Sequence, residues 1–411
     1  MARRCPCSRR TTAHFLVCIL LPSLLADAVN LRATTSLHDV KAITESSATQ
    51  QACIVKAGLA WHAQPRKKEL QWTLMSTPQF HSEPAGFQAR CDWVIGSRQS
   101  HYHLMPSNRA WGEASKAPRT IFVRTDLVSF FATEILPCLT HKFVLITGDH
   151  DATLPRQVDK RYPRYLDRAI WQELLASPLL LHIFAENLDE AGGDKVSGIP
   201  LGVNPTEFPN FDGNFLIAKI PSHVPNLAER PLKMQNVDRQ RPQVQNTHGI
   251  MTDQFVERRR VLERCRLNWT DFCVHRSLSK ETFFENLREY PFVQCVHGGG
   301  LDPSPKAFEA MLSGTIPIIQ HYPGDDAYRE LPIVFVDDWE VETITAERLA
   351  AWRDKLAPYY EQPELRADVL HRLSSAYWWG KVESVLHGRH EGVRNSVIAI
   401  EGRETESAKE W

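Results

Sequence analysis

Three glycines close an apolar run in the segment Phe292-Val293-Gln294-Cys295-Val296-His297-Gly298-Gly299-Gly300-Leu301-Asp302, which continues as Pro303-Ser304-Pro305-Lys306-Ala307-Phe308-Glu309-Ala310-Met311. A glycine turn lets the backbone approach a ligand without a side chain in the way. The free N–H groups and positive end of a helix starting just beyond it make a natural diphosphate site. Ser304 is placed to cap that helix and Pro305 to take its first position. Lys306 then stands at the same end and can pair with phosphate, and Glu309, one turn on, can reach ribose hydroxyls. The competing reading is a tight strand-to-helix turn without a ligand.

Two further groups sit at the ends of apolar runs. Asp149, His150 and Asp151 follow the run 143–146 and are candidates for a general base; a satisfied strand-end turn is the alternative. Glu186, Asn187 and Asp189 follow the run 179–184 and either face a second substrate or cap the next turn. His101 and His103 fall on one face of a short strand, too weak a pattern to imply a metal, and no metal site is expected.

Elements must position these residues. Apolar runs at 93–95, 120–123, 143–146 and 179–184 alternate with helical spacing at 127–136, stopping before Pro137, and at 165–176. Residues 226–250, rich in Pro and Gln, read as a linker or loop. The alternation then resumes, with helices at 252–266, 280–288, 305–313, 346–356 and 365–381 and strands at 272–275, 292–296, 315–320 and 333–336. Such alternation implies βαβ units. The expected fold class is α/β, with two Rossmann-like domains whose parallel sheets are flanked by helices.

The run Glu309-Ala310-Met311-Leu312-Ser313-Gly314-Thr315-Ile316-Pro317-Ile318-Ile319 and the later Tyr328-Arg329-Glu330-Leu331-Pro332-Ile333-Val334-Phe335-Val336-Asp337-Asp338-Trp339 resemble the donor side of exostosin-like glycosyltransferases of the GT-B class. Phe122-Val123-Arg124-Thr125-Asp126, Leu145-Ile146-Thr147-Gly148-Asp149 and Phe184-Ala185-Glu186-Asn187-Leu188-Asp189 are similar to the acceptor-side segments. The resemblance covers residues 118–207 and 255–360. The strand that it expects ahead of Arg258-Arg259-Arg260 is poorly formed in the sequence.

The resemblance implies transfer of a sugar from a nucleotide-sugar, a co-substrate rather than a cofactor, to a glycan or glycoprotein acceptor, without an obligatory metal. His297, Gly298, Gly299, Gly300, Asp302, Lys306 and Glu309, with Arg259 or Arg260, would hold the donor. Asp149, His150 and Asp151 would be catalytic, and Glu186, Asn187 and Asp189 would face the acceptor. Two rivals stand beside this reading. One is a non-catalytic relative that binds a glycan or a partner. The other is a metal-dependent GT-A transferase using Asp149-His150-Asp151 as a D-x-D triplet.

Bulk properties fit a folded protein of two domains: 411 residues, 43% hydrophobic and 24% charged. A net charge of −1 offers no basic field for nucleic acid or an anionic membrane. Arg3, Arg4, Arg9 and Arg10 precede an apolar run at 15–25 and then Ala26-Asp27-Ala28, the grammar of a secretory signal. The run is shorter than the ~20 residues of a membrane span. Residues 1–28 are thus expected as a signal peptide or signal anchor, the one route to a membrane, and the Golgi lumen or secretion as the destination. Domain boundaries follow: a stem or lead-in at 29–85, an acceptor-side domain at 86–225, a donor-binding domain at 251–387 and a flexible tail at 388–411. Beyond the signal lie six cysteines, Cys53, Cys91, Cys138, Cys265, Cys273 and Cys295. Cys265 with Cys273 is a plausible local disulfide, while Cys138 and Cys295 read equally well as small buried hydrophobes. Asn268-Trp269-Thr270 is a glycosylation acceptor sequence at Asn268.

Overall fold

Continuous apolar runs are what strands buried on both faces require, and here they become the middles of two sheets. The computed structural model describes residues 60–61, 90–98, 101–106, 117–202, 224, 226–239, 253–298, 300–388 and 397–402. The first sheet contains β1 (Ala60–Trp61), β2 (Trp93–Arg98), β3 (His101–Pro106), β4 (Thr120–Arg124), β5 (Phe143–Gly148), β6 (Leu180–Ala185) and β7 (Val196–Gly198). Its order is β1-β3-β2-β4-β5-β6-β7. Strands β2, β4, β5, β6 and β7 run parallel, and β3 is antiparallel to β2. Every residue of β5 is buried.

The second sheet contains β8 (Met234–Arg239), β9 (Cys273–Leu278), β10 (Phe292–Gln294), β11 (Ile316–Gln320), β12 (Val334–Val336) and β13 (Ile400–Glu401), in the order β13-β12-β11-β10-β8-β9. All its pairings are parallel. The helices are α1 (Arg168–Ala176), α2 (Asp253–Leu267), α3 (Lys280–Leu287), α4 (Lys306–Ser313), α5 (Ala346–Leu356), α6 (Pro363–Arg372) and α7 (Ser375–Leu386). The fold class is therefore α/β, two mainly parallel sheets flanked by helices, as the alternation of runs implied. Both sheets belong to one compact unit, residues 54–411.

Several boundaries differ from the sequence expectation, each for a physical reason. Residues 226–250 are not simply a linker, because β8 lies in the interior of the second sheet between β10 and β9. The tail 388–411 contributes β13, which pairs with β12, and the lead-in 29–85 contributes β1, which pairs with β3. The expected helix at 365–381 is broken, and Ser374 caps a new helix, α7, by accepting from the Tyr377 amide at 3.1 Å. Helix α7 packs against β5 and β6 of the first sheet rather than closing the second. Its Trp378 and Trp379 are buried in a cluster that runs from Val144 and Phe184 to Phe292 and Ile318. Each such ring stabilises by about 2–3 kcal/mol, against about 1 kcal/mol for the bond from Arg119 Nη2 to Leu386 O at 2.8 Å. Apolar burial therefore fixes the crossing helix.

The expected helix at 127–136 is irregular, passing from a short α turn (Val128–Phe130) through a π turn (Phe131–Ile135) to a 3-10 turn that includes Pro137. Cys265 and Cys273 form a disulfide. Cys138 is also disulfide-bonded, against its reading as a free buried thiol, whereas Cys91 and Cys295 are free and buried. Asn268 is exposed just past α2, open to modification. Among the described residues no helix is long and apolar enough to cross a membrane. Residues 1–28, the expected signal peptide or signal anchor, lie outside the described residues.

Candidate functional site

In the second sheet the chain goes from β8 to β9 on one side and then returns to β10 on the other. Connections that leave two adjacent strands in opposite directions part at their carboxyl ends and open a crevice there, the position where doubly wound sheets bind ligands. The bend 297–300 follows β10 at this point. Asn236 Nδ2 bridges the two strands by donating to Gln294 Oε1 at 2.9 Å, and Lys306 Nζ ties the start of α4 to β8 by donating to Val237 O at 2.6 Å.

Cations collect at the bend. Arg258 Nε donates to His297 O at 2.9 Å. Its guanidinium lies so close to Gly298 that a Cβ there would stand 2.6 Å from Nη2. His297 Nε2 lies 2.8 Å from Glu257 Oε2. Arg258 had not been singled out in the sequence; Arg259 and Arg260 had, but both are exposed and Arg260 pairs with Glu340. The correction follows from helix phase. Consecutive residues of α2 point about 100° apart, so only one of three neighbouring arginines faces the bend.

Ser304 is not a conventional N-cap. It adopts left-handed backbone with φ 73°, α4 begins at Lys306, and Ser304 Oγ accepts from the Lys306 amide at 3.4 Å. His297 and Gly298 are half-buried, Gly300 is buried and Glu309 is fully buried, so Glu309 packs in the core rather than facing the crevice. Gly299 lies outside the described residues. Gly314 ends α4 in left-handed backbone, and the buried Arg366 donates to Met311 O and Leu312 O at 2.7 and 2.8 Å. A cation at that end complements the helix dipole.

At the carboxyl ends of β5 and β6, Asp149 and Asn187 also take left-handed backbone, with φ of 58° and 53°. Strained non-glycine positions of this kind cluster at functional sites. Glu186 Oε2 accepts from the Asp149 amide at 3.0 Å. The carboxylate fills the space where a Cβ of Gly148 would stand. Burial pushes Glu186 well above the usual carboxylate range, and Asp302, Asp149 and Asp151 add to the shift. His150 Nδ1 accepts from the Ala152 amide at 3.0 Å, so the neutral ring carries its proton on Nε2. Burial lowers its pKa, and the ring packs on Tyr162 with centroids 4.6 Å apart.

These contacts correct two expectations. His150 presents a donor, not a base, because its acceptor nitrogen is already used. Asp189 braces a loop instead of facing an acceptor, since its oxygens accept from the Arg156 and Val158 amides at 2.8 and 3.0 Å. Asp151 remains exposed, 3.7 Å from Arg161.

The two sheets meet at these residues. The Asp302 amide donates to Asn187 Oδ1 at 3.1 Å, and Asn187 Nδ2 donates to His150 O at 3.2 Å. The Leu201 amide donates to Asp302 Oδ2 at 3.2 Å. Gly198 passes the backbone of Gly324 so closely that a Cβ would stand 2.5 Å from the Gly324 carbonyl oxygen. Tyr328, the first residue of the segment 328–339 but one to which the sequence assigned no role, donates to both oxygens of Asp302. Three groups of residues separated in sequence thus share one seam: Asp149 to Asp151, Glu186 with Asn187, and the bend with Asp302.

The structure thereby defines a two-sheet α/β protein with its candidate site where the carboxyl ends of both sheets meet. No family model matches the chain and no curated protein does. Among solved structures it is similar to an α-glucosyltransferase in complex with UDP and a 13-mer DNA containing a HMU base. That match has 11% identity over 84% of this chain and 95% of the other, with a TM-score of 0.31. The fold is established by the strand order above and not by a likeness of that size.

Proposed function

We propose that this protein is a glycosyltransferase that moves a sugar from a nucleotide-sugar to a glycan or glycoprotein acceptor in the secretory pathway, in keeping with its exostosin-like segments. The observation that carries this reading is the position of the glycine bend: it occupies the crevice where the second sheet reverses, beside Arg258, Lys306 and the start of α4. In the transfer, an acceptor oxygen bonds to the anomeric carbon while the bond from that carbon to the diphosphate breaks. Negative charge grows on the leaving phosphate, and preorganised cations and amide dipoles lower that barrier. Lys306 has three donors, so it can hold Val237 O and a phosphate oxygen together. The acceptor proton passes to a carboxylate at the end of β5, Asp149 or Asp151.

A thermal-shift screen of the purified protein against UDP-, GDP- and CMP-sugars tests this. A nucleotide-dependent shift that Lys306→Ala and Gly298→Val weaken or abolish is expected. A full shift in both variants removes the proposed donor site.

A further inference from the structure

Asp302 is 3% exposed and lies between the two sheets. Its carboxylate accepts from Tyr328 OH at 3.0 and 2.8 Å and from the Ser304 amide at 3.1 Å, all on the second-sheet side. It also accepts from the Leu201 amide at 3.2 Å, and its own amide donates to Asn187 Oδ1 at 3.1 Å, both on the first-sheet side. Tyr328 is fully buried, edge-on to Phe308 at 5.9 Å and to Tyr322 at 6.4 Å between ring centroids. Those rings fix where its hydroxyl points. Phenylalanine would fill the same volume, so packing alone does not call for the hydroxyl.

We infer that Tyr328 is a positioning residue: through Asp302 its hydroxyl sets the glycine bend against the first sheet, in the geometry that takes a nucleoside diphosphate. What the bend binds rests on the donor reading proposed above; the pin between the sheets does not. The titratable groups facing Asp302 are Tyr328 and Tyr322, from the chain beyond β11, Glu186 at the end of β6, and Cys295 at the end of β10. Burial raises Asp302 and the bonds from Tyr328, Leu201 and Ser304 oppose it, leaving it at about 6. Loss of the hydroxyl therefore moves its protonation to higher pH.

Two variants of the full chain test the inference, Tyr328→Phe and Asn187→Gly, the second keeping left-handed backbone at no steric cost. UDP and GDP affinities are measured by calorimetry between about pH 5 and pH 8, the range that spans the Asp302 titration. Hydrogen exchange is read at residues 198–202 and 300–304. Both variants are expected to weaken nucleotide binding at neutral pH by about tenfold and to speed exchange at 198–202 while leaving β11 and β12 protected. Tyr328→Phe alone should move the midpoint of the pH dependence upward. Wild-type affinity, midpoint and exchange in both variants would overturn the inference. If the wild-type protein binds neither nucleotide, the donor reading fails and the exchange data alone decide whether the pin exists.

Discussion

Asn187 and Asp302 are 115 residues apart in sequence, yet the amide of one donates to the side chain of the other at 3.1 Å. The contact ties the end of β6 to the bend after β10. It also explains why Asn187 is held in left-handed backbone: Asn is among the few non-glycine residues that tolerate this region, and in it the amide bridges His150 O and the Asp302 N–H. Two half-sites on separate sheets become one site through this side chain.

Gly300 has no room for a side chain, because a Cβ would collide with the Asn187 amide. Asn187 is pinned on both sides and cannot rotate away without losing both bonds. Gly300→Ala should therefore destabilise the protein by about 1–3 kcal/mol and weaken nucleotide binding. Denaturant unfolding and calorimetry measure the two effects. An unchanged midpoint and affinity would show that the seam yields easily.

Glu186 makes stability depend on pH in an unusual direction. Burial raises its folded pKa, so above the ordinary Glu value of about 4.3 the unfolded chain releases a proton that the folded chain retains. Stability falls as pH rises through that window. Glu186→Gln keeps an acceptor for the Asp149 amide and removes the penalty. The variant should melt higher than wild type at neutral pH and equally at about pH 4, below the ordinary value. A melting difference that does not vary with pH would contradict this account.

His321 holds the chain's last described strand. Its Nδ1 lies 2.5 Å from Asp325 Oδ2 and its Nε2 2.7 Å from Glu401 Oε2, with the ring stacked on Phe335 at 4.5 Å. Burial alone would lower its pKa, but the two carboxylates outweigh burial and raise it. The contribution is thus fully present below the ordinary His value of about 6.5 and is lost as pH rises through the folded value. Protection of the amides at 397–402, taken relative to their intrinsic exchange rates, should fall in alkaline buffer, and His321→Gln should remove that pH dependence. Equal protection across the range in wild type would sink the idea.

The parallel strands were legible because a strand covered on both faces leaves an unbroken apolar run, as at Phe143 to Ile146 or Phe292 to Val296. Strand β8 was not, because its buried Gln235 and Asn236 look like surface residues in sequence. Their amide N–H groups find acceptors only in the folded protein, Leu287 O at 3.0 Å and Gln294 Oε1 at 2.9 Å. Losing β8 also concealed the reversal of the second sheet, the feature that gives the glycine bend its meaning.

The site itself was legible in part, because glycines after an apolar run mark a close backbone approach wherever they occur. Arg258 and Tyr328 were not: one depends on helix phase, the other on a long-range hydrogen bond. His150 was misjudged because its tautomer is set by the Ala152 amide, a contact that sequence order does not display.

The most direct test of the donor site is a crystal structure of the protein with UDP or GDP. The diphosphate is expected in the crevice between β8 and β10, its oxygens about 3 Å from the amides of the glycine bend and from Lys306 Nζ. A nucleotide seated elsewhere, with the bend empty, would contradict the account.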